Sequence, residues 1–238
     1  MKKILLFMAF FAAGIAANAE TIVTPDNEES SKDGGIVLGQ GQDDNYHWTA
    51  HVYVGVDVPT GAPDGVDFAP FRSWEANLTI IQYDYTPKNW NTTFSAGLGF
   101  GWRSYTLKGH DHGFFKTGDV VNVLPALPNV EDFSSNIHTT SLSMPLLIKQ
   151  KFGKNFGISV GAQLNWNYYG RIHYRYEQGD DDVDVYTKKI GQRPFTVDVL
   201  GIVHVAKGLG IYCKYSLMSV LKKDRGPEFK SLAFGIYF

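Results

Sequence analysis

The chain has 238 residues with 22 Lys and Arg against 24 Asp and Glu, a balance that excludes a partner held by basic charge, such as nucleic acid. One cysteine, Cys213, excludes an intramolecular disulfide, so size has to supply stability. Aromatics make up 14%, charged residues only 19%, and there are 25 glycines, which together point to an all-β exported protein.

Residues 1–19 hold Lys2 and Lys3, an apolar run over 4–17 and an A-x-A site at Ala17-Asn18-Ala19; they read as a signal peptide cleaved before Glu20. Removal of Lys2 and Lys3 leaves 20 basic against 24 acidic residues, a net charge of −4. The new N-terminus carries no cysteine for a lipid anchor. Residues 20–45 are acidic, Gly/Ser-rich and aperiodic, and read as an N-terminal periplasmic linker. Residues 46–238 then form one domain in which alternate residues are apolar.

Eight strands are predicted in turn. The first, 46–58, sets Trp48, Val52, Val54 and Val56 against His51, Tyr53 and Asp57. The second, 72–85, sets Trp74, Leu78 and Ile80 against Glu75 and Thr79, and its pattern slips at Ile80-Ile81 as at a β-bulge. The third, 91–107, opposes Phe94, Leu98, Phe100 and Trp102 to glycines and Arg103. After a long loop, 136–150 opposes Leu142, Met144 and Leu146 to Ser141 and Ser143. The fifth, from Phe156, alternates through Trp166 and Tyr168 and on to Ile172, Tyr174 and Tyr176. The sixth ends at Val205 and carries Asp198 and His204; the seventh, 209–217, carries Cys213 opposite Lys214 and Tyr212; the eighth is SLAFGIYF. Connections alternate long and short, the short ones containing TPKN, FGKN and AKG. An even-numbered meander with long loops at one end and tight turns at the other is the organisation of an antiparallel up-and-down transmembrane β-barrel. An extra hairpin in the loop after the third strand would raise about 8 strands to 10, and Pro125 and Pro128 argue against it.

The polar face separates this reading from a soluble barrel. It is Gly, Ser, Thr, Asn, Gln and Tyr rather than Lys and Glu, which suits a crowded lumen. The apolar face carries Trp48, Trp74, Trp102, Trp166 and Tyr168 toward strand ends, as an aromatic girdle requires. Unpaired backbone is intolerable in hydrocarbon, so the last strand has to close on the first.

The signal peptide, the meander, SMPLLIKQKFGKNFGISVGAQLNW and above all YSLMSVLKKDRGPEFKSLAFGIYF resemble the small outer-membrane β-barrel proteins of Gram-negative bacteria, the porin-family group. The resemblance runs from about Tyr46 onward. It implies a cell outer-membrane location among lipid and lipopolysaccharide. It also implies that the barrel-assembly machinery reads the terminal strand through Leu232, Phe234, Ile236 and Phe238.

On the lumen side the pattern places His51, Asp57, Glu75, Arg103, Asp198, His204 and Lys214, with Tyr53, Tyr105, Tyr169, Tyr212 and Tyr237 as bulk. Eight strands enclose only enough room for side chains, so a packed polar network is favoured over a conducting path. His110-Asp111-His112 and Asp180-Asp181-Asp182 lack the fixed, spaced ligands of a metal site. Ser104 and His138 share the lipid-side parity near the long-loop end, where a Ser–His pair would attack an acyl ester, but no orienting acid is evident. Residues 171–176 (RIHYRY) belong to a ribbon predicted to project beyond the membrane. No cofactor, metal or catalytic group is expected. The expected protein is a monomer with a structural or surface-interaction role through its extracellular loops. The alternatives are a narrow channel for small solutes and a lipid-directed hydrolase at the outer rim.

Overall fold

The computed structural model describes residues 36–40, 46–128, 130–153, 156–179, 181–206 and 208–238, with side chains from residue 46 onward. The signal-peptide reading and most of the linker lie outside the described residues. The strands are β1 (Ile36–Gln40), β2 (Tyr46–Thr60), β3 (Trp74–Tyr85), β4 (Thr92–Thr106), β5 (His112–Thr117), β6 (Val120–Pro125), β7 (Glu131–Lys151), β8 (Gly157–Gln178), β9 (Asp181–Lys188), β10 (Phe195–Ala206), β11 (Leu209–Ser216) and β12 (Lys230–Tyr237).

Eight of them close a ring in the order β2-β12-β11-β10-β8-β7-β4-β3, and β3 pairs back with β2. Every pairing in the ring is antiparallel. The closing pair β12–β2 runs from Lys230↔Thr60 to Tyr237↔Tyr53. Two of the tight turns adopt positive φ at Asn89 (64°) and Gly208 (75°), residue types that tolerate the left-handed region.

Alternation fixes which face is which. Outward positions are apolar and exposed: Leu98, Leu146, Val160, Leu164, Val199, Ile211, Phe234 and Ile236. Inward positions are polar and buried, among them Thr79, Ser141, Ser143, Gln163, Asn165 and Thr196. A water-soluble barrel has the reverse arrangement; apolar outside and polar inside is that of a barrel that crosses a membrane. The slip at Ile80-Ile81 is a bulge: the register shifts there against both neighbours and both isoleucines face outward.

Three expectations are corrected. The linker is not free of structure, because β1 pairs with residues 47–50 of β2. β12 covers β2 from Tyr53 to Thr60, Phe238 exchanges both backbone bonds with Val52, and β1 takes residues 47–50 along the same edge. The hairpin that the prolines argued against does form, as β5–β6, but as a separate two-stranded sheet, so the barrel has eight strands. Pro125 sits at its end, opposite His112, where a missing N–H costs little. Finally, the apolar face of β8 does not continue outward to Tyr176. Between the pairs Leu142↔Trp166 and Thr140↔Tyr169, β8 holds one residue more than β7. Beyond this bulge Ile172 and Tyr174 turn inward, and Tyr169 sits opposite Thr140 on the outer face rather than in the lumen.

Candidate functional site

The lumen residues fall into two groups. Midway up, β3, β4, β10 and β11 bring Glu75, Arg103, Asp198 and Lys214 together, all buried. Glu75 Oε2 lies 2.8 Å from Lys214 Nζ and 3.3 Å from Arg103 Nε. Arg103 also pairs with Asp198, and its other terminal nitrogen donates to Ser216 Oγ at 3.3 Å. Ser216 donates to Asp198 Oδ1 at 2.6 Å and Asn165 Nδ2 donates to Asp198 Oδ2 at 2.8 Å. Gln163 carries the network onward, donating to Asn165 and Asn77 and accepting from Tyr53. Asp57, on the seam, accepts from Ser231 Oγ at 2.6 Å. Buried charge at this density is tolerable because each ion meets an opposite charge or a hydrogen-bond donor.

His51 and His204 stand apart from this cluster, at the tight-turn mouth. Thr49 donates to Asp84 Oδ2 at 2.8 Å, and the His51 Nε2 lies 3.0 Å from the same hydroxyl. His204 meets Ser159 Oγ at 2.8 Å. Tyr237 stacks on His51 and turns its ring at 90° to His204. A cavity of about 20 Å³ remains between them and Lys149, room for about one water.

The girdle residues Trp48, Trp102, Trp166 and Tyr168 are exposed on the outer face, and Trp74 is partly exposed beside them. Trp48 belongs to the tight-turn end; the other four lie toward the long-connection end. Phe234, Ile236 and Phe238 are exposed and Leu232 is half-buried, all on the lipid side of β12. Ser104 and His138 are direct cross-strand neighbours, but Ser104 is buried and no hydrogen bond joins the two among the described residues. His110 is engaged by the Phe133 carbonyl at 2.7 Å, and no group of three His, Cys, Asp or Glu is placed to hold a metal among the described residues. Asp180 lies outside the described residues. Cys213 is exposed on the outer face.

No protein-family model matches the chain, and no curated protein does. Among solved structures it is similar to Ail, the attachment invasion locus protein of Yersinia pestis, at 9% identity over 82% of this chain and 99% of that one, with a TM-score of 0.36. A second structure of Ail, in complex with the heparin analogue sucrose octasulfate, matches at 10% identity over the same shares, with a TM-score of 0.34. A likeness at this level assigns no role to any residue.

Sequence reasoning missed the second tier. Above the polar network the long connections fold inward and build an apolar core of their own. Tyr105, Leu107, Ile137 and Ile172 rise from the barrel wall, and Phe114, Val121, Ile190, Val220, Leu221 and Phe229 meet them from the connections, all buried. Phe68 packs on Phe229 with ring centroids 4.6 Å apart. Backbone bonds knit the cap: Val121 N donates to Arg225 O at 2.9 Å, Lys222 N to Gly191 O at 2.9 Å and Arg193 N to Val220 O at 2.9 Å. The signal was present as short apolar pairs inside polar loops, FF at 114–115 and VL at 220–221, which lack the periodicity that marks a strand.

On the outer face of the upper β7-β8-β9 sheet, RIHYRY is a tied cluster. Arg175 makes two hydrogen bonds to Asp184, each 3.0 Å, and His173 Nε2 lies 2.6 Å from the same carboxylate. Tyr186 stacks on His173 at 4.5 Å, with the Arg171 guanidinium 4.9 Å from its ring. These donors hold the Asp184 carboxyl at about 2, below the usual carboxylate range, the hydrogen bond from Arg175 contributing most.

Proposed function

We propose that the chain is an integral outer-membrane protein of the Gram-negative envelope. Its lumen is closed, and it works as a surface element through the face of its loop cap. The long connections are extracellular on this reading, and the tight turns and β1 periplasmic. The observation that carries it is the double closure of the bore. A buried ion network fills the middle and an apolar core covers the long-connection mouth, and the cavity between His51 and His204 admits about one water. Among the described residues both tiers are filled with buried side chains, which favours a surface role over the narrow channel. Burial of Ser104 and, among the described residues, the lack of an acid hydrogen-bonded to His138 disfavour a rim hydrolase.

Its partners on this reading are outer-membrane lipid and lipopolysaccharide along the apolar band, and the barrel-assembly machinery at Leu232, Phe234, Ile236 and Phe238. A single chain completes the ring, which supports a monomer. Purified protein in planar bilayers is expected to show no steady single-channel steps. Reproducible steps of one size would overturn the closed-lumen reading.

A further inference from the structure

At the tight-turn end of the outer face, three strands place aromatic residues side by side. Tyr46 of β2 stands opposite Tyr85 of β3, which stands opposite Phe94 of β4. In the next row Trp48 faces Tyr83, and Tyr83 faces Ala96. Ring centroids of Tyr46 lie 5.0 Å from Tyr85 and 5.5 Å from Tyr83, and Trp48 lies 5.1 Å from Tyr83. The small Ala96 leaves the surface depressed beside them. The result is a groove of about 390 Å³ lined by Tyr46, Tyr83, Tyr85, Phe94, Ser95 and Ala96.

Here four rings wall one concavity, and neither a carboxylate nor a basic side chain lines it. Asp84, between Tyr83 and Tyr85 in sequence, faces the lumen and is taken up by Thr49 and Gln82. With no charged side chain in the lining, the negative face of the rings is what attracts an ammonium group, and the tyrosine hydroxyls are left to donate to the phosphate that the same headgroup carries. The groove is continuous with the lipid-facing band, so its occupant comes from the bilayer.

We propose that this groove is a lipid site that holds the ammonium headgroup of an inner-leaflet phospholipid of the phosphatidylethanolamine type. The leaflet rests on the sidedness proposed above; the chemistry does not.

The test is native mass spectrometry of the purified, folded barrel with equal amounts of phosphatidylethanolamine and phosphatidylglycerol of the same acyl chains. The wild-type chain is expected to retain the amine-bearing lipid about two- to fivefold over the other, the scale of cation–π contact at a partly exposed site. Tyr46→Leu with Tyr85→Leu removes the preference, and Tyr85→Phe keeps it, because the ring face is what binds. Equal retention of both lipids by the wild-type chain overturns the site without need of any variant. A preference untouched in the double variant overturns the groove as its location. Displacement of the lipid by soluble peptidoglycan saccharides would overturn the lipid assignment in favour of a sugar. Bilayer conductance has no bearing on these outcomes, so the closed-lumen reading and the lipid site fail separately.

Discussion

Arg103 is the residue on which the lumen turns. It bridges Glu75 and Asp198, and its loss leaves two buried carboxylates with less compensation. Arg103→Ala is expected to cost about 3–5 kcal/mol, the scale of breaking a buried pair. Urea-unfolding midpoints of the barrel in lipid vesicles measure it, and a change below about 1 kcal/mol would mean that Lys214 alone balances the site. The identity of this charge and its inward parity were legible in Arg103's place among glycines of β4. Its partners were not, because they sit up to 113 residues away and depend on register around the ring. Gly55 shows the same limit from the opposite side. It faces Gly235 across the seam, and a Cβ there would collide with the Phe234 carbonyl and the Tyr212 hydroxyl. A lone glycine in an alternating strand signals close approach but not what approaches.

At the scale of elements, strands were legible and connections were not. Eight alternating segments gave eight barrel strands, because a period of two has one structural meaning when one face is apolar. The bulge in β8 escaped notice because Ile172 and Tyr174 continue the apolar parity of Trp166; only the partner strand reveals that they face the other way. The upper β8–β9 hairpin is tied on its outer face by Arg175 and His173 to Asp184. A carboxyl held low in the folded state contributes stability above its unfolded value near 4 and loses it as the pH falls toward 2. The protection of β9 amides relative to their intrinsic exchange rates is therefore expected to stay constant from pH 7 to pH 5 on this account and to fall below about pH 4. Asp184→Asn should show lower protection than the parent above about pH 4 and converge with it near pH 2, and equal protection at pH 7 would remove the tie. The cap makes a second element-scale prediction. Phe229, packed on Phe68 and Tyr105, is a core residue of the cap and not of the barrel. Phe229→Ala is expected to remove about 3–5 kcal/mol of local packing. Limited proteolysis should then cut within residues 217–229 while gel mobility still changes on boiling. Loss of that heat-dependent shift would mean that cap and wall fold as one unit.

For the whole molecule, closure was foreseeable from the backbone alone: a sheet in hydrocarbon cannot keep an edge. What the pattern could not supply was the way in which the edge is shared. Seven of the eight ring pairings join strands that follow one another around the wall; the eighth, β12 to β2, joins the two ends of the meander. Along that edge β12 takes the upper part of β2 and β1 takes the lower, so chain from both sides of the barrel sequence is stitched to one strand. The local pairings can form hairpin by hairpin at small entropic cost, whereas the seam closes a loop of more than 170 residues, as the Ser231–Asp57 separation of 174 records. Topologically remote contacts of this kind are slow to make. The seam is thus where the molecule's clock resides: the staves can line up hairpin by hairpin, and the cylinder waits on this one joint.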